Sequence, residues 1–114
     1  MDKLAQTIVE AIRDKKGKNI LTLDLSVFDG AICNTFVICN ADSTTQVSAI
    51  AAGIEEKTYK ELKEKVLRVE GLTNAIWVVM DYGDVMVHIF QTETRAFYRL
   101  EEMWADAPSQ YFEE

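Results

Sequence analysis

Apolar residues recur with two different periods along this chain, and the switches between them mark its elements. Over residues 2–16, Leu4, Ile8 and Ile12 fall four apart, with Ala5, Val9 and Ala11 widening the stripe, the spacing of an amphipathic helix. Lys15 and Lys16 suit the negative end of that helix, and Gly17 can take the left-handed position that closes it. The period then falls to two. In residues 20–25, Leu21, Leu23 and Leu25 alternate with other residues, which predicts a strand with one buried face. Beyond a loop through Asp29 and Gly30, residues 35–39 (Thr-Phe-Val-Ile-Cys) are apolar on both faces and fit a central strand.

Ser43-Thr44-Thr45-Gln46 has the pattern of a capping box, in which the Ser43 hydroxyl accepts from the Gln46 backbone and the Gln46 side chain reaches back. It opens the longest predicted helix, to about Lys65, with Val47, Ala51, Ile54, Thr58 and Leu62 on one stripe. A short strand at 66–69 and a loop at 71–74 follow. Residues 75–81 and 84–91 are β-rich and joined by Tyr82-Gly83, a predicted hairpin with a bulge at its turn. Thr92 can cap a last helix to about Trp104, with Phe97, Leu100 and Trp104 on its stripe and Pro108 after its end. The order α-β-β-α-β-β-β-α predicts an α+β or mixed α/β fold with helices mainly on one face of the sheet. Residues 1–107 read as one domain and 108–114 as a short acidic tail.

Composition narrows the chemistry. With 12 Lys plus Arg against 19 Asp plus Glu, the 114-residue chain carries a net charge of −7. A domain that grips nucleic acid mainly by its phosphates needs the opposite balance. Any contact with nucleic acid is therefore expected to be minor. Cys33 and Cys39 are too few and too irregularly spaced for a disulfide framework or a zinc site, and read as reduced, packed thiols. Neither a signal peptide nor a membrane-length apolar run is visible, so a soluble cytoplasmic protein without membrane contact is expected.

No phosphate-binding glycine loop, nucleophile elbow or metalloprotease helix is present, and one histidine cannot build a multi-histidine site. Asp81 and Asp84 flank the hairpin turn. They could hold magnesium for nucleotidyl transfer, or serve only the turn, where Asp bonds its own backbone. His88 lies mid-strand, either as a hydrogen-bonded sheet residue or as a proton-transfer group. No catalytic residue, metal or cofactor follows from these.

Alternation sorts the hairpin into two faces. Val78, Met80, Val85, Val87 and Ile89 form an aliphatic face suited to the helices, and Trp77, Asp81, Met86, His88 and Phe90 share the other. That second face is either an exposed aromatic patch rimmed by acids, as protein-binding surfaces are, or core beneath the last helix or the tail.

The run from Trp77 through Asp81-Tyr82-Gly83-Asp84 and Val87-His88 to Phe90 is followed by Arg95, Phe97-Tyr98, Leu100-Glu101, Trp104 and Asp106-Ala107. Together with Phe36-Val37-Ile38, Ser43, Gln46-Val47 and Glu70-Gly71 upstream, it resembles the signature of the Iojap family, the ribosomal silencing factors. One departure is Asn34-Thr35, where the family usually has Asp-Tyr. The resemblance implies a nucleotidyltransferase-like fold without established transferase activity, hence a regulator and not an enzyme. It further implies binding to protein fourteen of the large ribosomal subunit, with at most a minor ribosomal RNA contact, and steric blocking of subunit association, which represses translation when nutrients are scarce. Alternatives are a large-subunit assembly factor, the magnesium-dependent nucleotidyltransferase above, and a homodimer formed through the aromatic face. Trp77, Tyr82, His88 and Phe90 are expected at the apolar centre of the contact, with Asp81 and Asp84 facing basic residues. Arg95 and Tyr98 either extend it or buttress the hairpin. Glu101 and Trp104 are expected to pack or cap.

Overall fold

The computed structural model describes residues 2–114. Its centre is a six-stranded mixed sheet in the order β3-β4-β5-β2-β1-β6. The strands are β1 (Lys18–Asp24), β2 (Thr35–Ala41), β3 (Arg68–Glu70), β4 (Trp77–Asp81), β5 (Val85–Gln91) and β6 (Ser109–Phe112). Only β2 and β5 run parallel, and both are interior, which is why residues 36–41 are buried throughout. Helices α1 (Lys3–Asp14) and α2 (Thr44–Leu62) cover one face. Ile8, Ile12, Val47, Ile50 and Ile54 meet Val37, Val78, Met80, Val85, Val87 and Ile89 there, so the aliphatic hairpin face is the helix-packed one.

The second face carries its own core, with Leu21, Leu23, Phe36, Ile38 and Phe90 covered by Phe28, Leu100, Trp104 and Ala107. The cover comes from the loop after β1 and from α3 (Thr92–Tyr98) with the following 3-10 turn (Leu100–Trp104). β1 is consequently buried on both faces, with Ile20 toward the helices and Leu21 and Leu23 toward the second core. The expectation of one buried face was therefore too narrow.

Local chemistry explains several further departures. The Asp2 carboxylate accepts from Ala5 N at 2.7 Å and starts α1. Lys16, not Gly17, takes the left-handed backbone after that helix, with φ 64°. Gly17 is needed for space, since a Cβ there would sit 2.3 Å from Ile12 Cγ2. Ser43 caps α2 as expected, accepting from Gln46 N at 3.1 Å. The Gln46 side chain does not reach back, however. It donates to Lys15 O and Lys16 O, tying the end of α1 to the start of α2.

The last helix is shorter than its pattern implied. Gln91, not Thr92, caps it by accepting from Thr94 N, and the helix breaks at Arg99, whose φ and ψ are both 50°. That break turns Phe97 away from Leu100 and Trp104, leaving it 78% exposed. Residues 109–112 are a strand and not a tail, pairing antiparallel with β1 from Ile20↔Phe112 to Leu23↔Ser109. The hairpin register is regular from Trp77↔Phe90 to Asp81↔Met86, without the expected bulge. Gly83, with φ 89°, occupies the first central position of the turn, as a II′ turn requires. Both cysteines are buried and unpaired, and burial pushes the Cys39 thiol up to about 12.

α2 ends on Lys63 in the left-handed region, φ 58° and ψ 26°, a conformation that favours glycine. Lys63→Gly is expected to stabilise the fold by about 0.5–1 kcal/mol and raise the thermal midpoint by roughly 2–6 °C. Thermal unfolding followed by circular dichroism checks this, and an unchanged or lower midpoint would contradict it.

Candidate protein-binding face

β4 and β5 lay Trp77, Val79 and Asp81 beside Met86, His88 and Phe90 on the second face of the sheet, as alternation requires. The face is divided by depth. Trp77, Val79, Asp81 and Met86 are half-buried, whereas His88 is buried and Phe90 is completely enclosed. Neither His88 nor Phe90 can therefore stand at the exposed centre of a contact. They lie inward because the chain from α3 onward crosses this face, one of the two possibilities left open by the sequence.

The rings form a graded stack. Trp77 lies on Phe90 with centroids 4.8 Å apart and planes 29° from parallel. Tyr98 of α3 covers Trp77 at 5.0 Å, and Phe97 meets Tyr98 edge-on at 5.1 Å. Tyr98 is 52% exposed and Phe97 still more, so the stack runs from core to solvent. Trp77 Nε1 donates to His88 Nδ1 at 3.1 Å. Burial alone lowers the imidazole from 6.5 to about 4, so His88 is neutral near pH 7.

Tyr82 sits elsewhere. One step past β4, its side chain turns to the helix-covered face, where its hydroxyl and Thr58 Oγ1 are 2.8 Å apart and burial raises the phenol. Its place is in the core beneath α2. Asp81 serves the turn, its Oδ1 accepting from Gly83 N at 2.8 Å, while Oδ2 lies 3.8 Å from Arg68 Nη2. Asp84 is exposed at the tip. Among the described residues, no group of three or more His, Cys, Asp or Glu is placed to hold a metal ion.

Arg95 is only 8% exposed and is bound into the protein. Nη1 donates to Asn19 O at 2.6 Å and to Asn40 Oδ1 at 2.9 Å, while Nε pairs with Glu101 at 3.1 Å. It braces α3 and the 3-10 turn against β1 and β2, not against the hairpin. Trp104 packs on Phe28 and Phe36 at 5.6 and 5.9 Å.

The solvent-reaching part of the face is thus Phe97 and Tyr98 resting on the half-buried Trp77, with Asp84 and the half-buried Asp81 at the hairpin tip. Phe97 was hidden from the sequence reading by the assumption of one continuous helix. Adjacent aromatics at 97 and 98 cannot both point inward from a surface helix, which was the available signal.

Comparison with known proteins shows the family to which the chain belongs. The model of the family described as ribosomal silencing factor during starvation matches residues 1–114. The chain belongs to the ribosomal silencing factor family. The silencing factor of Halalkalibacterium halodurans is 39% identical over 107 residues, 94% of this chain and 90% of that protein. The silencing factor of Bacillus subtilis is 40% identical over 98 residues, covering 86% of this chain and 81% of the relative. A crystal structure of a Chromobacterium violaceum protein superimposes with a TM-score of 0.85 at 32% identity, over 92% of this chain and 88% of the other. The silencing-factor fold and the mixed α and β architecture are therefore established together. Among the described residues, no helix is long and apolar enough to cross a membrane.

Proposed function

We propose that this silencing factor docks on a basic protein of the large ribosomal subunit, its protein fourteen, and that its bulk there keeps the small subunit from joining. Supporting this reading are the family membership and the Trp77–Tyr98–Phe97 stack, which rises from the sheet to solvent at the open end of the hairpin whose tip carries Asp81 and Asp84. Interface centres are enriched in such aromatics, and two of these rings are already held in place by packing, which limits the entropy lost on binding. A net charge of −7 speeds encounter with a basic protein surface and disfavours wandering onto bare RNA. Blocking subunit joining requires only occupancy of the site, so no catalytic group is needed.

The test is co-sedimentation with isolated large subunits, alongside the yield of joined ribosomes when small subunits are added. Wild type is expected to pellet at micromolar concentration and reduce joining. Phe97→Glu alters a side chain that makes little core contact, and is expected to leave the fold intact while weakening binding at least about tenfold. A wild type that neither pellets nor slows joining overturns the proposal. Unchanged affinity of Phe97→Glu would move the docking face elsewhere. Self-association through the same stack would appear as a doubled mass in light scattering, abolished by the same substitution.

A further inference from the structure

We propose that His88 is a positioning residue of the docking face: it touches no partner, and fixes the attitude in which Trp77 and the rings resting on it are presented. This rests on the ribosomal reading above.

An indole nitrogen can only donate, so His88 Nδ1, 3.1 Å from Trp77 Nε1, must be the unprotonated acceptor and the ring proton must sit on Nε2. Nε2 is buried and has no hydrogen-bond partner. The Phe36 ring meets the imidazole edge-on, with ring centroids 4.5 Å apart. A buried polar atom without a partner is destabilising, and a phenylalanine or leucine at this position would avoid it. The imidazole therefore needs an explanation beyond packing, and its one protein hydrogen bond supplies it.

That bond does what stacking cannot. The face of Phe90 supports the indole plane but does not choose which edge of the indole points inward, since stacking tolerates rotation and sliding within the plane. A directed N–H to nitrogen bond chooses the edge. Trp77 and His88 lie on neighbouring antiparallel strands, with Trp77 opposite Phe90 and His88 two positions before Phe90 on the same face, so the bond runs diagonally across the hairpin. Tyr98 rests on the indole and Phe97 on Tyr98. A buried imidazole thus sets the tilt of two solvent-facing rings that it does not touch.

Three readouts test this. With one histidine in the chain, the imidazole nitrogen resonances report its tautomer directly, and Nδ1 is expected to be unprotonated at pH 7. In the free protein, hydrogen exchange of the Trp77 indole proton, assigned by its loss in Trp77→Phe, is expected to be slow. His88→Phe keeps ring bulk but removes the acceptor. It is expected to speed that exchange and lower affinity for isolated large subunits about tenfold. His88→Asn, whose carbonyl oxygen can stand where Nδ1 stood, should restore both toward wild type. In a Trp77→Phe background, His88→Phe should have no further effect on affinity.

An Nδ1-protonated tautomer overturns the proposal, as does a His88→Phe variant with unchanged indole exchange or unchanged affinity. So does an equal loss of affinity with and without Trp77. Should His88→Phe not fold, His88→Gln takes its place, because its carbonyl follows the Nε2 position and is expected to behave as the phenylalanine. Failure of the ribosomal reading is seen separately, in a wild type that does not bind, while tautomer and indole exchange are read without any ribosome.

Discussion

Replacing Arg95 by methionine is expected to destabilise the protein by about 3–5 kcal/mol, the range for breaking a buried charge network from one side. Methionine keeps most of the apolar length of the side chain, so the loss falls on the guanidinium. Its removal strands Glu101, whose Oε1 is already buried without a partner, as a poorly compensated carboxylate. Asn19 O also loses the contact that helps hold its left-handed backbone, φ 52°, and Asn40 Oδ1 keeps only the longer 3.2 Å bond from Asn19. These groups join α3 and the 3-10 turn to β1 and β2, so the substitution loosens the cover over Phe90 and Phe36. Urea unfolding at pH 7 measures the loss. A change below about 1 kcal/mol would show that the network's attraction only balances its desolvation. Arg95→Lys should recover little, because one ammonium cannot reproduce bonds made from two guanidinium nitrogens in a fixed plane.

The second large effect is a dependence of stability on pH that His88 brings to the window between about 4 and 6.5. His88 has a folded value of about 4 against an ordinary 6.5, so between these pH values the unfolded chain binds a proton that the folded chain refuses. The sign follows: stability is complete above about pH 6.5 and falls as the pH drops toward 4, by about 3 kcal/mol across the window. Protonation would also place a hydrogen on Nδ1, facing the indole N–H, so the charged form loses the bond to Trp77 as well as its solvation. Asp24 and Asp42 are lowered by their hydrogen bonds to Ser26 and Lys18, and these exposed groups act below the window. Urea midpoints measured between pH 4.5 and 7 should slope steeply for wild type and much less for His88→Asn. Equal slopes would refute the assignment to His88.

What could be read from the sequence was whatever announces itself locally. The Ser43 cap, the β4–β5 hairpin and the aliphatic face of Val78, Met80, Val85, Val87 and Ile89 follow from neighbours a few residues apart. The depth of the other face does not. Whether Phe90 and His88 are exposed depends on where residues 92–107 run, and that path turns at Arg99, a left-handed residue unmarked by glycine or proline. Tyr82 was misplaced by grouping it with the contact aromatics, although alternation from Val78 and Met80 puts it on the helix-covered face. β6 was missed because Ser109-Gln110-Tyr111-Phe112 has little apolar patterning, as an edge strand with only Phe112 packed on the core requires. The candidate contact residues divided in the same way. Trp77, Tyr98 and the hairpin acids stay at or near the surface, and Tyr82, His88, Phe90 and Arg95 are internal.

The strand order governs the timetable of folding on the ribosome. β1 and β2 can pair early, but the other edge of β2 waits for β5, whose partner residues lie 50 positions later, from Thr35↔Val85 to Ala41↔Gln91. β1 waits longer still for β6, with Ile20 paired to Phe112. Closing such distant contacts is slow, and a nascent β1–β2 pair exposes two open edges until synthesis has nearly reached the last strand. The window for wrong pairing therefore stays open until β6 has been made and docks, with Arg13 Nε donating to Glu113 O at 2.6 Å.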